Sequence, residues 1–240
     1  MSIEIKNLTK KYGTQKAVDD VSFAVQKGEI VGFLGPNGAG KSTTMKIITG
    51  YLSATSGTVA VGGFDVADNP MAVRRIIGYL PEHNPLYLEM YVKEFLEFVG
   101  KLYELKGALL RQRLSEMVEL CGLGAEQNKK IGQLSKGYRQ RVGLAQALIH
   151  NPAVLILDEA TTGLDPNQIV EIRSLIKNVG SDKTVLFSSH IMQEVEAVCN
   201  RVVIINQGQI VANRSLNDLK NEGTPLEAIF RQLTNPSVIQ

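Results

Sequence analysis

Cysteine is nearly absent from this 240-residue chain. Cys121 and Cys199 lie far apart and match no metal-ligand spacing, so a disulfide framework is excluded and two buried thiols in a reducing compartment are expected. An excess of one charge is missing too. Lys and Arg number 26 against 24 Asp and Glu, and a net charge of +2 is too small for a polycation that binds nucleic acid or an acidic membrane surface. No apolar run approaches the ~18–20 residues that a membrane helix needs, so the chain forms no path across a bilayer by itself. Met1 to Tyr12 alternate apolar and charged residues where a signal peptide would carry an apolar core. There is no low-complexity stretch, internal repeat or heptad run.

What is present is an alternation of short apolar strands and helical segments. Ile3 and Ile5 alternate with charges, and Val18 to Val25 reads as a second strand. Ile30 to Leu34 is short and wholly apolar, as a buried parallel strand would be. A helix is expected from Lys41 to Thr49, then strands at Val59–Val61 and Ile76–Leu80. From about 90 to 150 the texture becomes helical, with Phe95, Phe98, Val99 and Leu102 at helical spacing. Strands at Val154–Leu157, Thr184–Phe187 and Val202–Ile205 follow, separated by helices. A polar segment and a last helix, Pro225–Leu233, end the chain. This order implies an α/β fold with a mainly parallel sheet and helices on both faces. The division expected is a body of residues 1–220 and a short helical tail, 221–240.

Gly35-Pro36-Asn37-Gly38-Ala39-Gly40-Lys41-Ser42 fits G-x-x-x-x-G-K-[ST], with the required strand before and helix after. Glycines let backbone amides converge on a phosphate, and the helix that follows aims its positive end at the anion. Lys41 is expected on the β- and γ-phosphates of ATP, the Ser42 hydroxyl on Mg²⁺, and Thr43 on the α-phosphate. The strand Leu155-Ile156-Leu157 ends in Asp158-Glu159. Asp158 can hold Mg²⁺ through water, and Glu159 is then placed to deprotonate the attacking water.

These two elements leave several NTPase classes open. Leu134-Ser135-Lys136-Gly137-Tyr138 narrows them: here the chain resembles the ABC ATPase family, whose LSGGQ signature is matched at Leu134, Ser135 and Gly137. The resemblance covers essentially the whole chain. It implies a RecA-like P-loop NTPase fold with an antiparallel β subdomain and a helical subdomain carrying the signature. It places Tyr12 on adenine, Asp165 in the D-loop and His190 as the switch histidine contacting the γ-phosphate. One departure is Glu82, where the family usually has a glutamine that ligates Mg²⁺. Ionised glutamate offers only acceptors. Glutamate here is similar to the branch serving ABC-2-type exporters, as is Pro225 to Thr234. Leu80 to Tyr87 is further similar to gliding-motility-associated members.

The resemblance also implies partners. Two ATPase subunits would dock head to tail, each ATP held between the phosphate loop of one and the Ser135–Gly137 signature of the other. Tyr138 at the third position after Ser135 rules out a capping box and leaves the Ser135 hydroxyl for the ligand, or simply as a helix cap. A separate multi-span permease would complete the transporter, with this chain peripheral at the cytoplasmic face of the cell membrane and no nucleic acid bound. The rivals are a soluble ABC ATPase acting on ribosomes or DNA, an importer subunit, and a small-molecule kinase or P-loop GTPase. The last needs N-K-x-D, which Asn128-Lys129-Lys130-Ile131 lacks. His83 and His150 are expected in surface or capping roles.

Overall fold

The computed structural model describes residues 1–234; residues 235–240, the end of the expected tail, lie outside them. The chain begins with an antiparallel hairpin, β1 (Ile3–Tyr12) and β2 (Gln15–Val25), whose register shifts three times between Ile5 and Lys11. β3 (Ile30–Leu34) leaves this sheet for the middle of a second one, and α1 (Lys41–Ile48) follows it. β4 (Ser56–Val61) and β5 (Phe64–Asp65) return to complete a four-stranded antiparallel sheet in the order β2-β1-β4-β5. Then come α2 (Pro70–Ile76) and β6 (Ile77–Leu80).

The helical insertion comprises α3 (Val92–Leu102), α4 (Gly107–Leu120), a 3-10 turn at Ile131–Gln133 and α5 (Lys136–Leu148). β7 (Val154–Asp158), α6 (Pro166–Gly180), β8 (Thr184–Ser189), α7 (Met192–Val198) and β9 (Arg201–Asn206) restore the alternation. β10 (Gln209–Ser215), α8 (Leu216–Asn221) and α9 (Leu226–Thr234) close it. The second sheet runs β10-β9-β3-β8-β7-β6, parallel from β9 to β6 with β10 antiparallel at its edge.

The continuous apolar strands follow from burial on both faces. Val31, Phe33, Val154, Ile156 and Leu186 point to the antiparallel sheet and α1. Leu155, Leu157, Val185 and Phe187 point to the helical insertion, against Phe95, Leu96, Leu144 and Leu148. Each such side chain contributes about 1.5–3 kcal/mol by leaving water. A third cluster joins Leu34, Val202 and Ile204 to Leu216, Leu219 and Leu226, so the tail is anchored on β9 and α7.

Three local expectations change. The strand expected from Ile76 begins at Ile77, because Pro70 at the first helical turn opens α2, which carries through Ile76. The segment read as polar holds β10 and α8. β10 is a partly exposed edge strand paired on one side only, so it shows little of the apolar pattern of its neighbours. His150 is neither at the surface nor a cap. Its ring stacks on Tyr103, centroids 3.7 Å apart, and Nε2 donates to the Ile77 carbonyl at 3.0 Å.

Burial, with Arg113 and Lys183 adding repulsion against the favourable Ile77 bond, pushes the His150 imidazole down to about 4. The unfolded chain takes up this proton near 6.5 and the folded one only near 4, so stability falls as pH drops through that window. The loss is on the order of 3 kcal/mol. His150→Gln should therefore flatten the fall of Tm between pH 6.5 and 4. An unchanged slope in thermal melts would refute this assignment.

Candidate functional site

β3 is buried at every residue and ends at Leu34, which delivers Gly35–Gly40 to the edge of the sheet. Gly40 lies at φ 107, and a Cβ there would stand 2.5 Å from the Ala17 carbonyl, so only glycine fits. Gly40 is also the N-cap of α1. No side chain caps this helix and its first turn contains no acid, so its leading amides remain available to an anion.

The loop forms one wall of a cavity of about 510 Å³. Asn37, Gly38, Gly40, Lys41, Ser42 and Thr43 line it from the loop side. Glu82, Glu159 and His190 line it from the tips of β6, β7 and β8. Gly35, Pro36 and Ala39 form the back of the loop. The Ala39 amide donates to the Pro36 carbonyl at 3.2 Å, and the Gly35 and Pro36 carbonyls accept from Lys41 Nζ at 2.7 and 3.2 Å. Lys41 is thereby buried with its ammonium held at the loop, 3.5 Å from Glu159 Oε1.

Glu159 sits just past β7 at φ 52, a left-handed conformation that a side chain disfavours and that costs roughly 1–3 kcal/mol. Its amide is fixed to Ser188, by the carbonyl at 3.2 Å and the hydroxyl at 3.3 Å. Oε2 accepts from His190 Nδ1 at 2.8 Å and Thr162 Oγ1 at 3.1 Å. A carboxylate only accepts, so Nδ1 of His190 is the donor in this bond. Oε1 is buried and accepts no hydrogen bond. A buried acceptor left empty is costly, and one facing a cavity invites a proton donor such as a water molecule.

Asp158 is buried and accepts from the Ser188 hydroxyl at 2.6 Å. Among the described residues no three His, Cys, Asp or Glu side chains converge as a metal cage. A hydroxyl from Ser42, the Asp158 carboxylate and the exposed Glu82 are hard oxygen donors. Such a partial set fits Mg²⁺, which keeps waters and takes its remaining ligands from phosphate.

The other sequence-derived positions lie outside this wall. Tyr12, at the end of β1, is half exposed with Lys10 Nζ 5.4 Å from its ring centre. Ser135 is the N-cap of α5, its Oγ accepting from the Tyr138 amide at 3.4 Å. Of the two roles the sequence leaves open for this hydroxyl, ligand contact or helix cap, the structure shows the cap, and its proton remains to donate. Gly137 packs on α6: a Cβ there would meet the Gln168 side chain at 2.4 Å. Asp165 caps α6 by accepting from the Gln168 amide at 3.0 Å. Gln168 thus joins the signature turn to the turn bearing Asp165.

Sequence reasoning did not find Ser188, Thr162 or Glu194. The hydroxyls were visible beside Asp158, Glu159 and His190, where polar residues at strand ends signal a site. Glu194 gave no signal, standing between Gln193 and Glu196 as if on a solvated helix face, yet it is buried.

The ABC transporter family profile matches residues 18–162. An uncharacterized ABC transporter ATP-binding protein of Bacillus subtilis, YxlF, is 42% identical over 92% of this chain and 73% of its own length. The bacitracin transport ATP-binding protein BcrA of Bacillus licheniformis is 38% identical over 91% of this chain and 71% of its own. A solved dimer of an ATP-binding cassette in a post-hydrolysis state, bound to ADP and Pi, superposes with a TM-score of 0.81 at 28% identity, covering 89% of this chain and 98% of that one.

Proposed function

The chain belongs to the ABC transporter family, and on that footing we propose that it is the ATP-hydrolysing subunit of an exporter whose membrane permease is a separate polypeptide. The observation that carries this reading is the single cavity where the Gly35–Thr43 loop meets Glu159 and His190. Loop amides and the Lys41 ammonium neutralise the triphosphate. Glu159 Oε1, buried and accepting no hydrogen bond, takes the proton of the attacking water as its oxygen bonds to the γ-phosphorus. The bond to the β-phosphate oxygen breaks and its electron pair leaves with ADP. His190 orients Glu159 through Oε2 and would stand beside the γ-phosphate, since both side chains line the same cavity as the loop. Bound Mg²⁺ would supply charge neutralisation at the phosphates, with Ser42, Asp158 and Glu82 as its candidate protein ligands.

Ser135, Gly137 and Asp165, outside this wall, would serve the site of a second ATPase subunit, and Tyr12 would stack on adenine. The dimeric relative with ADP and Pi supports that arrangement. Hydrolysis then removes the γ-phosphate contacts and lets the pair open.

A second cavity, about 600 Å³, lies where the end of α1, β6 and α5 meet. Tyr79 Oη and Gln146 Oε1 are buried there without partners, and exposed Tyr51 stands at its edge. Unmet hydrogen bonds beside an exposed aromatic suit a protein contact. We assign the permease to this groove, with the Glu82 loop and the helical insertion transmitting the nucleotide state. That contact would hold the chain peripherally at the cytoplasmic face of the membrane. No helix among the described residues is long and apolar enough to cross it.

The export direction rests on Glu82 and on the Pro225–Thr234 segment, and the likeness to a bacitracin transport protein agrees with it. The narrower likeness to gliding-motility members rests on Leu80–Tyr87 alone. Affinity purification from membranes in mild detergent should bring down one multi-span protein, and replacing Tyr51 and Tyr79 by alanine should release it. Recovery of ribosomes or DNA without a membrane protein would favour the soluble rival.

A further inference from the structure

We propose that Glu194 is a positioning residue that sets the geometry of the Glu159–His190 pair from behind the cavity. Glu194 is a carboxylate at the start of α7 and is only 1% exposed. A charge so placed is retained only when donors satisfy it. Two hydroxyls do so. Thr161 Oγ1 donates to Oε1 at 2.5 Å and Ser189 Oγ donates to Oε2 at 2.7 Å. The Arg173 guanidinium approaches Oε1 at 3.9 Å.

The two hydroxyls belong to the two chain segments that bear the reacting groups. Thr161 lies two residues after Glu159, and Ser189 immediately precedes His190. One carboxylate therefore ties the extension of β7 to the end of β8. Ser189 Oγ also accepts from the Ile191 amide at 3.0 Å, fixing the chain on both sides of His190. Glu159 keeps its left-handed backbone only if its surroundings enforce it, and the Thr161 anchor is one of the bonds that do. Glu194 itself does not line the cavity, so it acts through Glu159 and His190 and not on nucleotide.

This inference rests on the ATPase reading above. It predicts a split in the kinetic constants, because the nucleotide is gripped by a loop Glu194 does not touch. Glu194→Ala should lower kcat roughly 30- to 300-fold, as displacements near 1 Å do, with KM for ATP within about threefold of wild type. Glu194→Gln, which keeps the shape and can accept one hydroxyl proton while donating to the other oxygen, should recover kcat to within about fivefold. Thr161→Val and Ser189→Ala should each slow turnover, and neither should slow Glu194→Ala further, since the three act as one unit.

Rates are to be expressed per nucleotide site titrated with a fluorescent ATP analogue, so that a purely structural role, which would lower Tm and the number of sites, leaves them unchanged. Wild-type kcat per site in Glu194→Ala would overturn the inference. If that variant fails to fold, wild-type rates in Thr161→Val and Ser189→Ala overturn it equally. Absent turnover in the wild type sinks the ATPase reading and this inference with it; normal turnover in both wild type and Glu194→Ala sinks this inference alone.

Discussion

Glu159→Gln is expected to cut ATP turnover by roughly a thousandfold while nucleotide binding survives, within the range that loss of a general base produces. Glutamine keeps the length and one carbonyl oxygen, so the hydrogen bond from His190 Nδ1, 2.8 Å in the native chain, can persist. What it loses is the ability to take a proton at Oε1, the buried oxygen that accepts nothing in this structure. The loop proposed to grip the triphosphate is unaltered in this variant. ATP that is bound and not cleaved should then hold two subunits together, so the variant should sediment as a dimer with saturating Mg·ATP and as a monomer without it. A monomer under both conditions contradicts the shared-nucleotide arrangement. Wild-type turnover would show that another group receives the proton.

Lys41→Ala should weaken ATP binding by roughly a hundredfold or more, since a charge-assisted contact to phosphate is lost together with a cation that offsets its charge. The ammonium is already held at the loop by the Gly35 and Pro36 carbonyls, so the native site spends little ordering entropy to present it. Its removal also deprives buried Glu159 of the cation 3.5 Å from Oε1. Calorimetric titration with Mg·ATP checks this directly. Unaltered affinity and hydrolysis would refute the assignment of the loop.

The two predictions differ in how far sequence alone supports them, and the reason is physical. Lys41 is legible because the phosphate loop is local: glycines, cation and hydroxyl must fall at fixed spacing within eight residues for the amides to converge. The parallel strands are legible because burial on both faces leaves continuous apolar runs such as Val154 to Leu157. β10 is less so, since an edge strand buries little, although Gln207 and Gly208, both at positive φ, make the turn that starts it.

The burial of His150 against Tyr103 and of Glu194 against Thr161 is set by partners 47 and 33 positions away. No window along the chain contains that information. Ser135 falls between these cases. Its helix start was visible in the sequence, but whether the hydroxyl caps or waits for ligand depends on the Tyr138 amide, which the structure places 3.4 Å away.

The Gly35–Thr43 loop, with Lys41 and Ser42, is proposed to grip a triphosphate. A crystal of Glu159→Gln grown with excess Mg·ATP tests it most directly. Three phosphates are expected over the amides of Gly38 to Thr43, with Ser135 of a second copy closing on the γ-phosphate. Nucleotide lodged elsewhere, for instance in the groove beside Tyr79, with this loop empty, would contradict it.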